Sequence, residues 1–266
     1  MRVLYAGDSP VGGPANYLLG VLKSLRAEFV HLPPSARLSP RWFRHRYEVI
    51  ILSDFPRRQL PRDSEKLLVE QVSHGTGFLM VGGWSSFSAP FGKWRDSLVE
   101  KILPVHCQPG DDRVNFSSGA ILFPKRSHAV LDSVPMNDLP VICGLNRVRP
   151  KKDSRILLAA RKILVTGRTG PPKSQGCVGA TERSWRAGKK PCKLTLDKIE
   201  YPVLVVGGDA TKKVAAFATD IAPHWCGGLV DWGKKRVRIH IKGDIWIEVG
   251  DRYVRLLSSL IRWLSQ

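Results

Sequence analysis

Hydrophobic positions in the first third of the chain fall in short unbroken runs, each closed by glycine, proline, serine or aspartate. Residues 2–7 (RVLYAG) end at Asp8-Ser9, 47–52 (YEVIIL) at Ser53-Asp54, and 77–81 (GFLMV) at Gly82-Gly83-Trp84. Phe29 to Leu32 is a further run, closed by Pro33-Pro34. Runs this short without polar alternation read as strands buried on both faces. Between them the spacing turns helical. Pro14 suits a first helical turn, and Tyr17, Leu18, Val21, Leu22 and Leu25 recur with helical period. Asp63 or Ser64 can cap a second helix through Leu67, Leu68 and Val72 to Gly75. Strand and helix in alternation imply right-handed crossovers, so the predicted fold class is α/β, a mostly parallel sheet sandwiched by helices.

Beyond Trp84 the pattern loosens. Ser97 to Leu103 reads as a helix, and 104–150 as short apolar runs broken by Pro, Gly and Asn. Ile156–Ala159 with Lys162–Val165 predicts one strand pair, and Pro202–Val206 with Val214–Thr219 another. Val237–Ile241 and Ile245–Val249 form a hairpin around Lys242-Gly243-Asp244. The chain therefore carries added β-hairpins in its C-terminal half. Tyr253, Leu256, Leu257, Leu260, Ile261 and Leu264 mark a final amphipathic helix, lined by Arg252, Arg255 and Arg262. A core helix with a solvated face is expected there rather than a membrane-surface helix. No apolar run approaches the roughly 18 residues of a membrane span, so no membrane partner is expected.

Charge changes this picture in one respect. The 266 residues include 42 Lys and Arg against 23 Asp and Glu, a formal +19. Residues 147–198 alone hold fifteen basic residues and three acids, a net +12, leaving +7 for the rest. The whole chain, 1–266, reads as a single domain with a basic insertion at about 167–198. Lys173 to Lys193, polar and Gly-rich around Trp185, reads either as an arm seeking nucleic-acid phosphates or as a solvated loop, and the loop is the expectation. Five scattered cysteines with no CxxC pair argue against a disulfide scaffold or zinc ribbon and for a reducing cytoplasm. Cys177 and Cys192 are too few ligands for zinc, and no metal is expected. The N-terminal residues lack a signal-peptide pattern, in keeping with a cytoplasmic protein. Self-association is left open.

Nucleotide motifs fail when tested. Gly7 and Gly12 have P-loop spacing, but Gly13-Pro14 stand where Lys and Ser or Thr must follow. In 167–174, Pro171 and Pro172 offer no N–H to a phosphate. No GxGxxG follows the first strand. An ATPase or nicotinamide enzyme is therefore not expected, and no cofactor is.

In open α/β sheets the ligand lies at the carboxyl ends of the strands. Those ends carry Asp8, Ser9, Asp54, Gly82, Gly83 and Trp84, followed by Ser85 and Ser86. They are read as a binding rim for a small polar molecule, or as caps and turns. The strand-to-turn stretch 78–87 resembles a nucleophile elbow, with Gly83 or Trp84 at its apex and Ser85 or Ser86 as the available nucleophile. A second stretch, 218–233, packs His224, Asp220, Asp231, Trp225 and Trp232 among glycines. His224 can act as a general base with Asp220 or Asp231 fixing its tautomer, and the indoles can form a ligand platform. A structural loop is the alternative.

GFLMVGGWSSF, then Gly92-Lys93-Trp94-Arg95-Asp96-Ser97, Leu103-Pro104-Val105, Gly144-Leu145-Asn146-Arg147 and FATDIAPHWCGGLVDWG together resemble the putative glutamine amidotransferase-like family. That family is related to class I glutamine amidotransferases and trehalose-utilisation-type proteins. The resemblance covers roughly 1–165 and 200–266 and leaves the basic stretch outside. It implies a flavodoxin-like sandwich. In class I enzymes an elbow Cys attacks glutamine's amide, assisted by a late His with Glu two residues on. Here the elbow has no Cys, His224 falls in place, and Cys226 stands where Glu would. The expectation is an amidotransferase-like pocket without glutaminase activity. The alternatives are a hydrolase of an amide, ester or sugar-derived substrate with His224 as base, a non-catalytic binding or assembly protein, and nucleic-acid association through 147–198.

Overall fold

Strand β1 (Arg2–Gly7) is buried from Val3 onward, which is why its sequence shows no polar alternation. The computed structural model describes residues 1–166, 193–209 and 211–266. Helix α1 (Ala15–Ser24) follows, then β2 (Glu28–Leu32), β3 (Val49–Ser53), α2 (Arg62–Ser73) and β4 (Gly77–Val81). Strands β3 and β4 are buried throughout. The strand–helix alternation gives parallel pairing: β1 lies between β2 and β3, and β3 pairs with β4.

The second half adds α3 (Leu98–Ile102), β5 (Val105–Cys107), β6 (Arg113–Pro124), β7 (Val141–Asn146), β8 (Val148–Pro150) and β9 (Arg155–Thr166). It continues with β10 (Lys193–Leu196), β11 (Tyr201–Gly208), β12 (Lys213–Phe217) and α4 (Pro223–Val230). The hairpin β13 (Arg236–Lys242) and β14 (Ile245–Gly250) leads into α5 (Asp251–Leu264). One ten-stranded sheet runs in the order β2-β1-β3-β4-β12-β11-β9-β6-β7, with β10 on β9. Its parallel part ends at β12, which pairs with β4. From β11 onward the pairing is antiparallel.

The fold class is the expected α/β. One element differs: the pair expected at 156–159 and 162–165 is the single strand β9, whose twelve residues contain no turn-forming residue to reverse the chain. Its first half is buried between β11 and β6, while its last half carries β10 and is more exposed. The basic residues 167–192, with Trp185, Cys177 and Cys192, lie outside the described residues.

The sheet separates two cores, and the alternation along β1 assigns them. Val3 and Tyr5 face the layer holding α1, α4 and α5, while Leu4 and Ala6 face the layer holding α2 and Trp94. Helix α5 buries Tyr253, Leu256, Leu257, Leu260, Ile261 and Leu264 in the first core, so its apolar face is interior.

Candidate functional site

Four parallel strands deliver their carboxyl ends to one edge in register. Gly7 of β1 lies beside Ser53 of β3, Ser53 beside Val81 of β4, and Val81 beside Phe217 of β12. The residues that follow therefore emerge side by side, and the chain turns there at once. Asp8 and Asp54 turn in the left-handed region, with φ of 36° and 48°, a conformation Asp tolerates better than most side chains. Gly7, at φ 130°, must be glycine, because a Cβ there would overlap the Ser53 carbonyl.

A cavity of about 620 Å³ opens over this edge. Its floor carries Asp8, Asp54 and Asp220, the last a few residues beyond β12. Ser9 from the loop after β1 and Asn16 and Tyr17 of α1 line one side, while Trp246 and Glu248 reach in from β14. His224, from the first turn of α4, and Trp84 close the opposite wall. Four carboxyl groups thus face the cavity, and neither Lys nor Arg does among the described residues.

The carboxyls are strained electrostatically as well as sterically. Burial pushes Asp8 up to about 7, against the opposing hydrogen bond it accepts from the Tyr5 hydroxyl at 2.6 Å. Asp220 is raised well above the usual carboxylate range by burial and then by the charge of Asp8. Its Oδ1 accepts the N–H groups of Ile221 at 2.6 Å and Ala222 at 3.0 Å. Burial also raises Asp54, opposed by the N–H groups of Ser85 and Trp84 and by the nearby His224. These are three desolvated carboxyls, none with an ion-pair partner within 4.0 Å among the described residues.

The elbow after β4 is built from backbone. The Gly82 N–H donates to the Phe217 carbonyl at 2.8 Å, and Gly83 exchanges two hydrogen bonds with the buried Asn146 amide. Neither glycine lines the cavity; they let the sheet edge and Asn146 approach. Trp84 is presented at the apex, 42% exposed. Its ring lies 4.2 Å from the Arg113 guanidinium and edge-on to His224 at 6.1 Å. The Ser85 N–H donates to Asp54. Ser86 is buried, its hydroxyl donating to the Val81 carbonyl and accepting the Asp54 N–H at 3.2 Å. Ser86 is thereby committed to the turn and is not offered to the cavity.

Within the stretch 218–233, residues 223–230 form α4 between two loop segments, started by Pro223 at the first helical position and kinked at Cys226. Its helical rotation sorts the side chains. His224 faces the cavity, whereas Trp225 is buried behind it, with Nε1 donating to Asn115 at 2.9 Å and its ring filling the space over Gly144. Asp231 sits at the far end of α4, 67% exposed and paired with Arg236 at 2.9 Å, away from the cavity. Of the two aspartates flanking His224 in sequence, Asp220 is the one at the site. Buried Cys226 donates its thiol to the Ala222 carbonyl at 3.0 Å, and burial raises that thiol well above its ordinary range.

Sequence reasoning did not place Tyr17, Trp246 or Glu248 at the site. The signal available for Trp246 was the alternation of 245–249, which sets Trp246 on the face of Glu248 and opposite Ile245, Ile247 and Val249. Among the described residues, no group of three or more His, Cys, Asp or Glu is spaced to hold a metal ion.

Comparison with known proteins adds the following. Residues 44–189 match the family described as putative glutamine amidotransferase. The matched span contains the elbow and part of the basic stretch, and it ends before His224. None of the curated proteins compared with the chain matches it. Cytoplasmic protein STM3548 from Salmonella typhimurium has a similar structure, at a TM-score of 0.67 and 20% identity over 99% of this chain and 98% of that one. Cytoplasmic protein STM1381 from Salmonella typhimurium LT2 gives 0.60 at 21% identity, over 85% of this chain and 90% of that one. The mmIFT52 N-terminal domain gives 0.53 at 11% identity, over 99% and 97%. At such identities the likeness is one of fold.

Proposed function

The chain belongs to the putative glutamine amidotransferase family, and we propose that it holds a small polar molecule at the strand ends without glutaminase activity. The observation that carries this reading is Trp84 at the apex of the elbow. Glutaminase chemistry of the class I kind needs a thiolate there, next to a base. The described cysteines are Cys107, Cys143 and Cys226, and none lines the cavity. Burial raises the thiols of Cys107 and Cys226, which opposes thiolate formation. The absence of Lys and Arg from the described lining adds a second reason, because the α-carboxylate of glutamine would find four carboxyl groups there and neither of those cations.

This reading places the protein in the cytoplasm. No described helix is long and apolar enough to cross a membrane. The described basic residues of 147–166 and 193–198 do not line the cavity, so a nucleic-acid partner has no part in this reading. The test is ammonia release from glutamine by the purified full-length chain. A rate at the buffer background supports the reading, and sustained turnover overturns it.

A second reading is hydrolysis, favoured by one observation: His224 and three carboxyls face the same cavity. With Ser86 committed to the turn, water is the attacker and His224 its base. A His224→Ala variant that keeps full turnover on a hydrolysed substrate would end this reading.

A further inference from the structure

We propose that the cavity takes an organic cation, a small amine held by Asp8, Asp54 and Asp220 with its carbon chain against the rings of Trp84 and Trp246. The inference rests on the reading above that the cavity is a small-molecule site. It begins from a contrast in charge. The chain carries 42 Lys and Arg against 23 acids, yet the described lining of this cavity holds four carboxyls and no Lys or Arg.

Three of those carboxyls, Asp8, Asp54 and Asp220, have no ion-pair partner within 4.0 Å among the described residues, while surface acids such as Asp111 and Glu200 do. Glu248 pairs with Arg236 at 3.1 Å. Asp220 is 8% exposed and lines the cavity, and its Oδ1 takes both backbone N–H groups. Its second oxygen has no hydrogen bond among the described residues. A buried carboxylate without a counter-charge is costly, and an incoming cation removes that cost.

The walls suit the rest of such a ligand. Trp84 and Trp246 are 42% and 49% exposed, and both line the cavity with Tyr17 and His224. Arg113 lies over Trp84 at 4.2 Å and Arg238 over Trp246 at 4.9 Å, so the cation is left to the carboxyls and the exposed indole surface covers methylene chains. Other classes fit less well. An anion finds no Lys or Arg in the described lining, and no described cluster has metal-ligand spacing. The volume of about 620 Å³ admits a diamine or triamine.

Proton release gives the inference its signature. Asp8 is surrounded by Tyr5 of its own strand, His31 of β2, Asp54 after β3, Asp220 after β12, His224 of α4, Glu248 of β14 and Tyr253 of α5. A cation among these groups favours ionised carboxyls, so amine binding near neutral pH expels protons.

The experiment is calorimetric titration of the full-length protein with putrescine, spermidine and tyramine, beside glucose and glutamate, in two buffers of different ionisation enthalpy. At least one amine should bind below about 1 mM, with proton release. Asp220→Asn keeps an oxygen for the Ile221 and Ala222 N–H groups, and should weaken binding about tenfold or more while the circular dichroism spectrum stays unchanged. If no amine binds below that concentration, or Asp220→Asn binds as wild type does, the inference is overturned. Glucose binding in place of the amines also overturns it but leaves the preceding reading standing. Ammonia release from glutamine overturns that preceding reading instead.

Discussion

Asn146 and Gly83 exchange two hydrogen bonds through the interior. The Gly83 N–H donates to Asn146 Oδ1 at 2.9 Å, and Asn146 Nδ2 donates to the Gly83 carbonyl at 3.2 Å. The amide also donates to Asp112 at 2.7 Å, and Asn146 is fully buried. A side chain at the end of β7 thereby fixes the elbow after β4, although the two strands are far apart in the sheet.

Replacing that amide should therefore loosen the elbow. Asn146→Ala leaves the buried Gly83 N–H without its partner and removes the donor to Asp112 Oδ1, while Asp112 Oδ2 keeps the Ser88 N–H. The expected loss is about 2–4 kcal/mol, read as a lower urea midpoint with an unchanged slope. A midpoint equal to wild type would mean that water replaces the amide freely.

Gly83→Ala tests the same elbow from the other side. Gly83 has φ of 150°, and a Cβ there would lie 2.5 Å from Asp54 Oδ1. Gly110→Ala is the control, since Gly110 has φ of 74° and open space around it. The control should cost about 1 kcal/mol for its backbone alone. Gly83→Ala should cost clearly more, because Asp54 must move as well, and thermal melts of the two variants give the comparison.

Asp8 gives stability a pH dependence of defined sign. Its folded value, about 7, lies above the ordinary 3.8, so the folded chain binds more protons between these values. Its contribution is full below about pH 4 and is lost as pH rises through 7. Between pH 5 and 8 the loss amounts to about 2–3 kcal/mol. Asp112, raised to about 6 by burial, acts in the same direction, and net charge adds its own trend. The difference between wild type and Asp8→Asn isolates the Asp8 share. The variant should gain on wild type from pH 5 to pH 8, measured by urea unfolding at both.

Restoring a thiol at the elbow should not restore glutamine hydrolysis. Trp84→Cys places a cysteine near His224, but the described lining still lacks a cation for the substrate's carboxylate. Ammonia release by this variant should stay at background. Turnover would show that the elbow residue alone withholds the activity.

Much of this architecture was legible in the order of residues. The apolar runs at 3–7, 49–52 and 77–81 mark strands covered on both faces, and helical spacing between them forces parallel crossovers. Parallel strands must end on one edge, so the sequence alone gathers Asp8, Asp54 and Trp84 there. That argument uses only the period of two and the handedness of connections, which are local properties. Tertiary structure decided what local properties leave free. Rotation of α4 turned His224 inward, buried Trp225 and put Asp231 on the surface, where the sequence offered all three alike. Ser86 was spent on the turn by a carbonyl five residues earlier. Trp246 and Glu248 arrived from a hairpin more than 200 residues away from Asp8. The charge followed the same division. Composition told of a basic chain, but only the packing of distant segments could assemble an acidic cavity within it, because the sign of a site depends on which side chains share a space.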